Sequence, residues 1–276
     1  MQIVDAQVHI WPPNTPEHPW PGERIEPHRA EPFMRDELLA EMDAAGVDRA
    51  VLVPPMWAGD SNAYALSAVR SHPQRFAVMG RLDLDAPASR GAIATWRNTP
   101  GLLGIRIVPK RQPIRAQFAA GHFDWLWREA EKAGVPIMIL IETDQADLLA
   151  AIATRHPGLK FVLDHLCLPS GLKDDKAFAH LDKVLALAKH PNIAAKASAL
   201  QGFTDERYPF KGLHSHIRRV YDAFGPQRMF WGTDLTHIPC TYKEAAGLFT
   251  NELPWLTAED KEWILGRGIR EWIGWQ

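Results

Sequence analysis

Eight short apolar runs, separated by longer segments of mixed polarity, are the feature of this sequence that most constrains its fold. Most of the runs are continuously apolar, which is typical of parallel strands that are covered on both faces. The runs are Ile3–Val4, Ala50–Val53, Phe76–Leu82, Leu102–Val108, Ile137–Ile141, Phe161–Leu163, Ile193–Ala197 and Met229–Trp231. They predict a parallel sheet in which a helix follows each strand.

The intervening segments place apolar residues three and four positions apart, which is the spacing of one helix face. Predicted helices span Asp36–Ala45, the segment that ends at Gly134, Leu181–Ala188 and about Ala258–Trp272. Repeated strand–helix units predict one α/β domain over residues 1–276, a (β/α)8 TIM-type barrel with its active site at the carboxyl ends of the strands. A doubly wound open sheet is the alternative, but no glycine-rich phosphate loop follows the first run.

A proline-rich segment, about residues 12–35, is predicted to form one long loop after the first strand. It contains or adjoins aromatic residues: Trp11, Trp20 and His28 here, and Trp57 in the loop after the second strand. These side chains either wall and close a pocket or simply pack the loop. We assign Trp11 to substrate binding.

Charge and cysteine content exclude several functional classes. The 31 basic and 33 acidic residues are nearly balanced and form no basic block, so no nucleic-acid partner is expected. Two cysteines, Cys167 and Cys240, exclude a disulfide framework. We find no signal peptide and no apolar run near the ~20 residues of a membrane helix. The protein is expected to be cytoplasmic with no membrane partner, and its scattered Trp residues leave a homo-oligomer open.

The first strand runs into three polar residues, Asp5, Gln7 and His9. Residues i and i+2 of a strand share a face, so these side chains are predicted to point together into the barrel lumen or its mouth. The alternative is a polar layer that serves only hydrogen bonding.

Polar residues also follow or interrupt later strands, at Arg106, Glu142, Asp164, His165, Lys196, Ser198 and Asp234. A lumenal Arg106 needs an anionic partner, either a substrate carboxylate or a protein carboxylate. Asp234, His165 and His9 would converge at one barrel mouth. Such a set suits hydrolysis, because an Asp accepts a proton from water while neutral His, Arg or a metal polarises a carbonyl group.

Several segments resemble the amidohydrolase-related (amidohydrolase 2) branch of the amidohydrolase superfamily, in particular its lactonase-like members. They are IVDAQVHIW, LLAEMDAAGVDRAVLVPP, FVLDHLCLP, NIAAKASALQGFTDE and RMFWGTD. The resemblance implies a (β/α)8 barrel that hydrolyses a sugar-acid or dicarboxylic-acid lactone. His165 and Asp234 match the sixth-strand His and eighth-strand Asp of the family, and His9 matches one His of its first-strand H-x-H motif. Gln7 departs from that motif.

The resemblance also implies roles for the matching residues. Asp234 would act as general base, with His9, His165 or a weakly held divalent ion stabilising the oxyanion. Zn²⁺ or Mn²⁺ would be held by His9, His165 and Asp234, a set that Gln7 weakens because an amide is a poorer ligand than imidazole. Expected substrate-binding residues are Arg106, Gln7, Trp11 and Glu142, and the expected partner is a carboxylated or sugar-derived small molecule. A metal-dependent decarboxylase or hydratase and a catalytically degenerate ligand-binding barrel are the alternatives.

Overall fold

Each of the eight apolar runs forms a strand in the computed structural model, which describes residues 1–16, 19–20 and 27–276. The strands are β1 (Val4–Val8), β2 (Arg49–Leu52), β3 (Phe76–Gly80), β4 (Leu102–Ile107), β5 (Ile137–Ile139), β6 (Phe161–Leu163), β7 (Ile193–Ser198) and β8 (Met229–Gly232). They pair in parallel in sequence order from β1 to β8. The Asp234 amide donates to the Gln7 carbonyl over 2.9 Å and links the last strand to the first. The predicted (β/α)8 barrel is confirmed.

Helices follow the strands on the outside of the sheet. Their bounds are α1 (Arg35–Ala45), α2 (Ala63–Ser71), α3 (Ser89–Ala92), α4 (Ile114–Ala119), α5 (Asp124–Ala133), α6 (Ala146–Arg155), α7 (Asp174–Ala177), α8 (Leu181–Leu185), α9 (Lys211–Phe224), α10 (Tyr242–Thr250), α11 (Ala258–Glu262) and α12 (Gly268–Ile273). Within the described ranges, no helix is long and apolar enough to cross a membrane. Of the predicted loop over residues 12–35, residues 17–18 and 21–26 lie outside the described part of the chain.

Two apolar layers hold the barrel together. An inner layer fills the lumen with residues such as Val51, Met138 and Phe230, and Ile269 and Ile273 of α12 pack against it. A larger outer layer lies between the strands and the helices. Because both faces of each strand are covered, the strands read as continuous apolar runs, as the sequence indicates.

The last predicted helix is interrupted. Residues Trp263–Arg267 form a π-helical segment between α11 and α12. Here Gly266 lies so close to the start of the chain that a Cβ atom would lie 2.2 Å from the carbonyl oxygen of Gln2. The π-helical turn and the absence of a side chain at Gly266 together allow the backbone of this segment to approach Gln2 closely.

The expectation that Asp5, Gln7 and His9 share a face is wrong for Asp5. The β1–β2 register shifts between Asp5 and Val8, so that β1 contains one extra residue there. Such a bulge reverses the direction of the side chains that follow it. The Asp5 carboxylate consequently lies between β1 and β8 and accepts from Tyr242 Oη of α10 at 2.8 Å, whereas the Gln7 side chain reaches Lys196 of β7.

Candidate active site

A cavity of about 330 Å³ opens at the carboxyl ends of the strands. This volume suits a small molecule, since ligand pockets usually begin at about 300 Å³. Its wall is formed by His9, His28, Met56, Trp57, Arg106, Val108, Lys110, Arg111, Leu140, Glu142, His165, Leu168, Ser170, Ala199, Phe203, Asp234 and His237. Of the predicted site residues, His9, His165, Asp234, Arg106 and Glu142 therefore line one cavity, whereas Gln7 and Trp11 are fully buried beside it.

Three predicted catalytic side chains meet at the base of this cavity. Asp234 Oδ1 lies 3.3 Å from Nε2 of His9, and Asp234 Oδ2 lies 3.6 Å from Nε2 of His165. His165 and Asp234 are the second residues after the ends of β6 and β8, and they adopt left-handed backbone conformations, with φ of 51° and 55°. The turns after β6 and β8 thus place His165 and Asp234 next to His9, the residue that follows β1.

The hydrogen bond of His9 to Val53 shows that the ring faces Asp234 with the lone pair of Nε2. His9 Nδ1 lies 2.6 Å from the carbonyl oxygen of Val53, and a carbonyl oxygen only accepts. Nδ1 therefore carries the proton, and Nε2 of neutral His9 is unprotonated. Asp234 Oδ1 is buried and receives no hydrogen bond from any described residue. Two acceptors consequently lie side by side at the base of the cavity.

Gln7 orients both imidazoles from below. Its side-chain oxygen accepts from the Lys196 ammonium at 2.5 Å. Because an ammonium group only donates, the amide oxygen must face Lys196 and the amide nitrogen must face the histidines. Gln7 Nε2 lies 3.2 Å from His165 Nε2 and 3.5 Å from His9 Nε2. On its other side, His165 Nδ1 lies 2.8 Å from Ser198 Oγ.

A buried ionic network lies next to these groups. Asp164 pairs with Lys196 through Oδ1 at 2.7 Å and with Arg106 through Oδ2 at 3.0 Å. Burial opposes ionisation of Asp164, but the charges of Lys196 and Arg106 outweigh it and lower the pKa of Asp164 to about 2. Burial lowers the pKa of Lys196, which Asp164 opposes. Arg106 thus has a protein carboxylate as partner and still reaches the cavity wall.

Burial and neighbouring charges separate the protonation states of the three central groups. Burial favours the neutral acid of Asp234, but the imidazoles around it, led by His9 and His165, are positively charged at the low pH where Asp234 titrates, and this charge outweighs burial and holds the pKa of Asp234 well below its usual value. Burial lowers the pKa of His9, and it lowers the pKa of His165 to about 4, against the attraction of Asp234. At neutral pH the site therefore contains a carboxylate and two neutral imidazoles, which is the protonation state that a general base requires.

The cavity rim carries further charged groups. Lys110 and Glu142 form an ion pair at 3.0 Å, and Arg111 lines the same wall. Glu142 follows β5 as predicted, and its partly exposed carboxylate faces the cavity.

Aromatic rings close one side of the cavity. His28 stacks edge-on against Trp57, with centroids 4.7 Å apart, and its Nδ1 lies 2.9 Å from Thr236 Oγ1. Trp11 lies behind them, with its ring centroid 5.1 Å from that of Trp57. His28 and Trp57 thus wall the pocket, whereas Trp11 supports the wall and Trp20 lies outside the lining set.

The residues present do not fit a tightly held metal ion. Within the described residues, no three His, Cys, Asp or Glu side chains are arranged to hold one. Both Nε2 atoms that would coordinate the ion face N–H bonds of Gln7, and the Gln7 oxygen already faces Lys196. A cation between the imidazoles would compete with these hydrogens and lie near a second cation, the Lys196 ammonium.

Sequence reasoning placed Lys196 and Asp164 on strands but gave neither a role. The signal for Lys196 was a lysine inside an otherwise apolar strand, which marks a lumenal charge in need of a partner. His237 carried no such signal, because it lies in a short 3₁₀ turn beyond the end of β8. There its ring centroid lies 4.7 Å from that of His28.

Comparisons with known proteins identify a family and several similar proteins. A family model described as amidohydrolase matches residues 4–274. The L-fucono-1,5-lactonase of Burkholderia multivorans is 29% identical over 265 residues, which cover 89% of this chain and 86% of that protein. The L-fucono-1,5-lactonase of Burkholderia ambifaria is 25% identical over 239 residues, covering 84% and 79%.

Among solved structures, the chain is similar to the crystal structure of an amidohydrolase from Burkholderia multivorans with bound zinc. The TM-score is 0.82 at 25% identity, and 99% of each chain is covered. That neighbour contains a metal ion, whereas the donor set described above is blocked by Gln7 and Lys196.

Proposed function

Because the chain belongs to the amidohydrolase family, we propose that it hydrolyses the lactone of a sugar acid, with Asp234 as the general base. The observation that carries the proposal is Asp234 Oδ1, a carboxylate oxygen at the cavity base that accepts no hydrogen bond from any described residue. A water molecule can donate one hydrogen to this oxygen. Its lone pairs are then directed away from Asp234, toward the cavity where a lactone carbonyl would lie.

The reaction needs donors as well as a base. Water attacks the carbonyl carbon as Asp234 takes its proton, and the carbonyl oxygen becomes an oxyanion. Neutral His9 presents a lone pair and cannot stabilise that charge, so we assign this role to the cationic donors of the wall, Arg106 and Lys110. The ring C–O bond then breaks, Asp234 returns its proton to the leaving alkoxide, and the product is a hydroxy acid.

The substrate class follows from the cavity and from the relatives. The two lactonase relatives are named for L-fucono-1,5-lactone, a neutral hydroxylated ring. Glu142 and Ser170 can accept hydrogen bonds from hydroxyl groups, and Trp57 offers an apolar face to the C–H side of a sugar ring. A carboxylated lactone is the second candidate, because Arg106, Lys110 and Arg111 all line the same cavity.

We propose that turnover requires no divalent ion. The support is the donor arrangement around Gln7, which occupies the lone pairs that zinc or manganese would need. Dialysis against a chelator, followed by elemental analysis, is expected to leave kcat unchanged. A loss of kcat that added Zn²⁺ or Mn²⁺ restores would instead favour the metal-assisted decarboxylase or hydratase reading, with His9, His165 and Asp234 as ligands.

The decisive experiment is a turnover screen against sugar-acid and dicarboxylic-acid lactones with the Asp234→Asn variant. Removing the base is expected to lower kcat by about 10²–10⁴ with little change in KM, the range typical of general base catalysis. Asp222→Asn, an exposed residue of α9, is the matched control and should keep wild-type kcat. Near-normal lactone turnover by Asp234→Asn would remove the mechanism. Measurable binding of lactones with no turnover of any would favour a ligand-binding barrel.

A further inference from the structure

We propose that Lys196 is a positioning residue that acts through Gln7 to keep Nε2 of His9 and His165 unprotonated. Its effect on rate rests on the proposed function, but its effect on the imidazoles can be measured without any substrate. The Lys196 ammonium from β7 contacts the Gln7 amide from β1, and this amide contacts the two imidazoles at the cavity base.

Lys196 does not belong to the cavity wall. Its side chain is fully buried, and its Nζ contacts Asp164 Oδ1 at 2.7 Å, Gln7 Oε1 at 2.5 Å and Met138 Sδ at 3.4 Å. Asp164 is already paired with Arg106. Two cations therefore flank Asp164, and Lys196 is the one that fixes the Gln7 amide.

The fixed amide determines the histidine tautomers. With its oxygen on Lys196, Gln7 has only N–H bonds to offer, and these point to His165 Nε2 at 3.2 Å and His9 Nε2 at 3.5 Å. An N–H bond requires a lone pair opposite it, so both Nε2 atoms accept. The Val53 carbonyl independently requires the same tautomer of His9 from the other side of the ring. For His165, the Ser198 hydroxyl accepts or donates equally well, so Gln7 alone decides.

A His165 tautomer with its proton on Nε2 would weaken Asp234 as a general base. If the amide turned over, its oxygen would face His165 and favour a proton on Nε2. That proton lies next to Asp234 Oδ2, which is 3.6 Å away. A hydrogen bond from His165 would stabilise the carboxylate and make Asp234 a weaker base. Lys196 thus supports catalysis without touching the substrate.

The substitution Lys196→Met tests this directly. It leaves Arg106 and Asp164 as an ion pair. We expect nitrogen NMR of ¹⁵N-histidine-labelled protein to show His165 Nε2 unprotonated in the wild type and at least partly protonated in the variant. We expect kcat to fall by about 10–100-fold, as when supporting residues of a catalytic group are removed, with KM changed less than about threefold. Lys160→Met, before β6 at the opposite end of the barrel, is the control and should leave both readouts unchanged.

A second variant covers the case in which Lys196→Met fails to fold. Gln7→Glu retains a partner for Lys196, but it offers an oxygen to the imidazoles instead of N–H bonds. We expect His165 Nε2 to become protonated in this variant. An unprotonated His165 Nε2 in Gln7→Glu, a protonated one in the wild type, or an unaltered kcat in folded Lys196→Met would each overturn the proposal. A wild-type protein that hydrolyses no lactone would refute the proposed function, while the tautomer measurement would still decide the role of Lys196.

Discussion

The left-handed residues at the strand ends show how individual positions are committed to the site. His165, Ala199 and Asp234 follow β6, β7 and β8 with φ between 51° and 57°. Such a conformation costs a non-glycine residue about 1–2 kcal/mol, and residues held this way concentrate at functional sites. All three line the cavity. The backbone at these ends is therefore shaped by the position that the side chains must occupy.

Arg106 has a structural contact with Asp164 and a place on the cavity wall, and a substitution can separate these two roles. Its Nε binds Asp164 at 3.0 Å, while the side chain also reaches the cavity. Arg106→Lys keeps a charge for Asp164 but loses the planar fork that binds a carbonyl or carboxylate group. We expect kcat/KM to fall by about 10-fold or more, which is the loss of one charge-assisted hydrogen bond of about 1.5–3 kcal/mol.

Steady-state kinetics and urea unfolding together check this expectation. Arg75→Lys, whose guanidinium pairs with Asp43 away from the cavity, is the matched control and should keep wild-type kinetics. A purely structural Arg106 would instead show reduced unfolding free energy in Arg106→Lys with kcat/KM intact.

At the scale of elements, β1 departs most from its sequence pattern. The chain alternates apolar and polar residues from Val4 to His9 without a break, so nothing local marks the bulge. The bulge depends on how β1 meets β8 when the barrel closes. There the Asp5 carboxylate accepts from the backbone amides of Gln7 and Thr233, each at 2.9 Å, and from Tyr242 Oη. Burial nevertheless raises the pKa of Asp5 to about 6.

These contacts make Asp5 the residue that joins the first and last strands. Asp5→Ala leaves two buried backbone amides without acceptors, and each costs about 1–3 kcal/mol. We expect the free energy of unfolding to fall by about 2–5 kcal/mol in total by the same reasoning. Tyr242→Phe removes one donor of several and is expected to cost about 1 kcal/mol. Urea denaturation monitored by tryptophan fluorescence measures both. Equal losses in the two variants would contradict the assignment.

Features of the site that depend on neighbouring residues in the sequence were predictable, whereas contacts between residues far apart in the sequence were not. Strand positions and the residues after them, such as His165 and Asp234, depend on local apolar runs and were predictable. The Lys196–Gln7 contact joins residues 189 positions apart and exists only because β1 and β7 converge in the lumen. Trp11 was assigned to substrate binding, but its buried position behind Trp57 depends on the path of the long loop.

At the scale of the whole molecule, buried neutral histidines couple the fold to pH. The pKa of His165 is lowered to about 4 by burial, against an ordinary value of 6.5 in the unfolded chain. Between these values the unfolded state binds a proton that the folded state does not, so the free energy of unfolding decreases as pH falls. His28, whose pKa burial also lowers to about 4, acts in the same direction. Asp5 has the opposite effect on the free energy of unfolding below pH 6, because its pKa is raised to about 6 and the folded state then binds a proton that the unfolded state does not.

A difference measurement isolates His165 from these other groups. We expect the wild type to lose up to about 1.4 kcal/mol per pH unit through His165 between pH 6.5 and 4, the full value for one proton. His165→Asn lacks that proton while keeping His28 and Asp5, so the stability difference between the two proteins should change steadily across this interval. Urea unfolding at four or five pH values measures it. If the two stability curves ran parallel, His165 would have the same pKa folded and unfolded, and the neutral imidazole next to Asp234 would no longer be explained by burial.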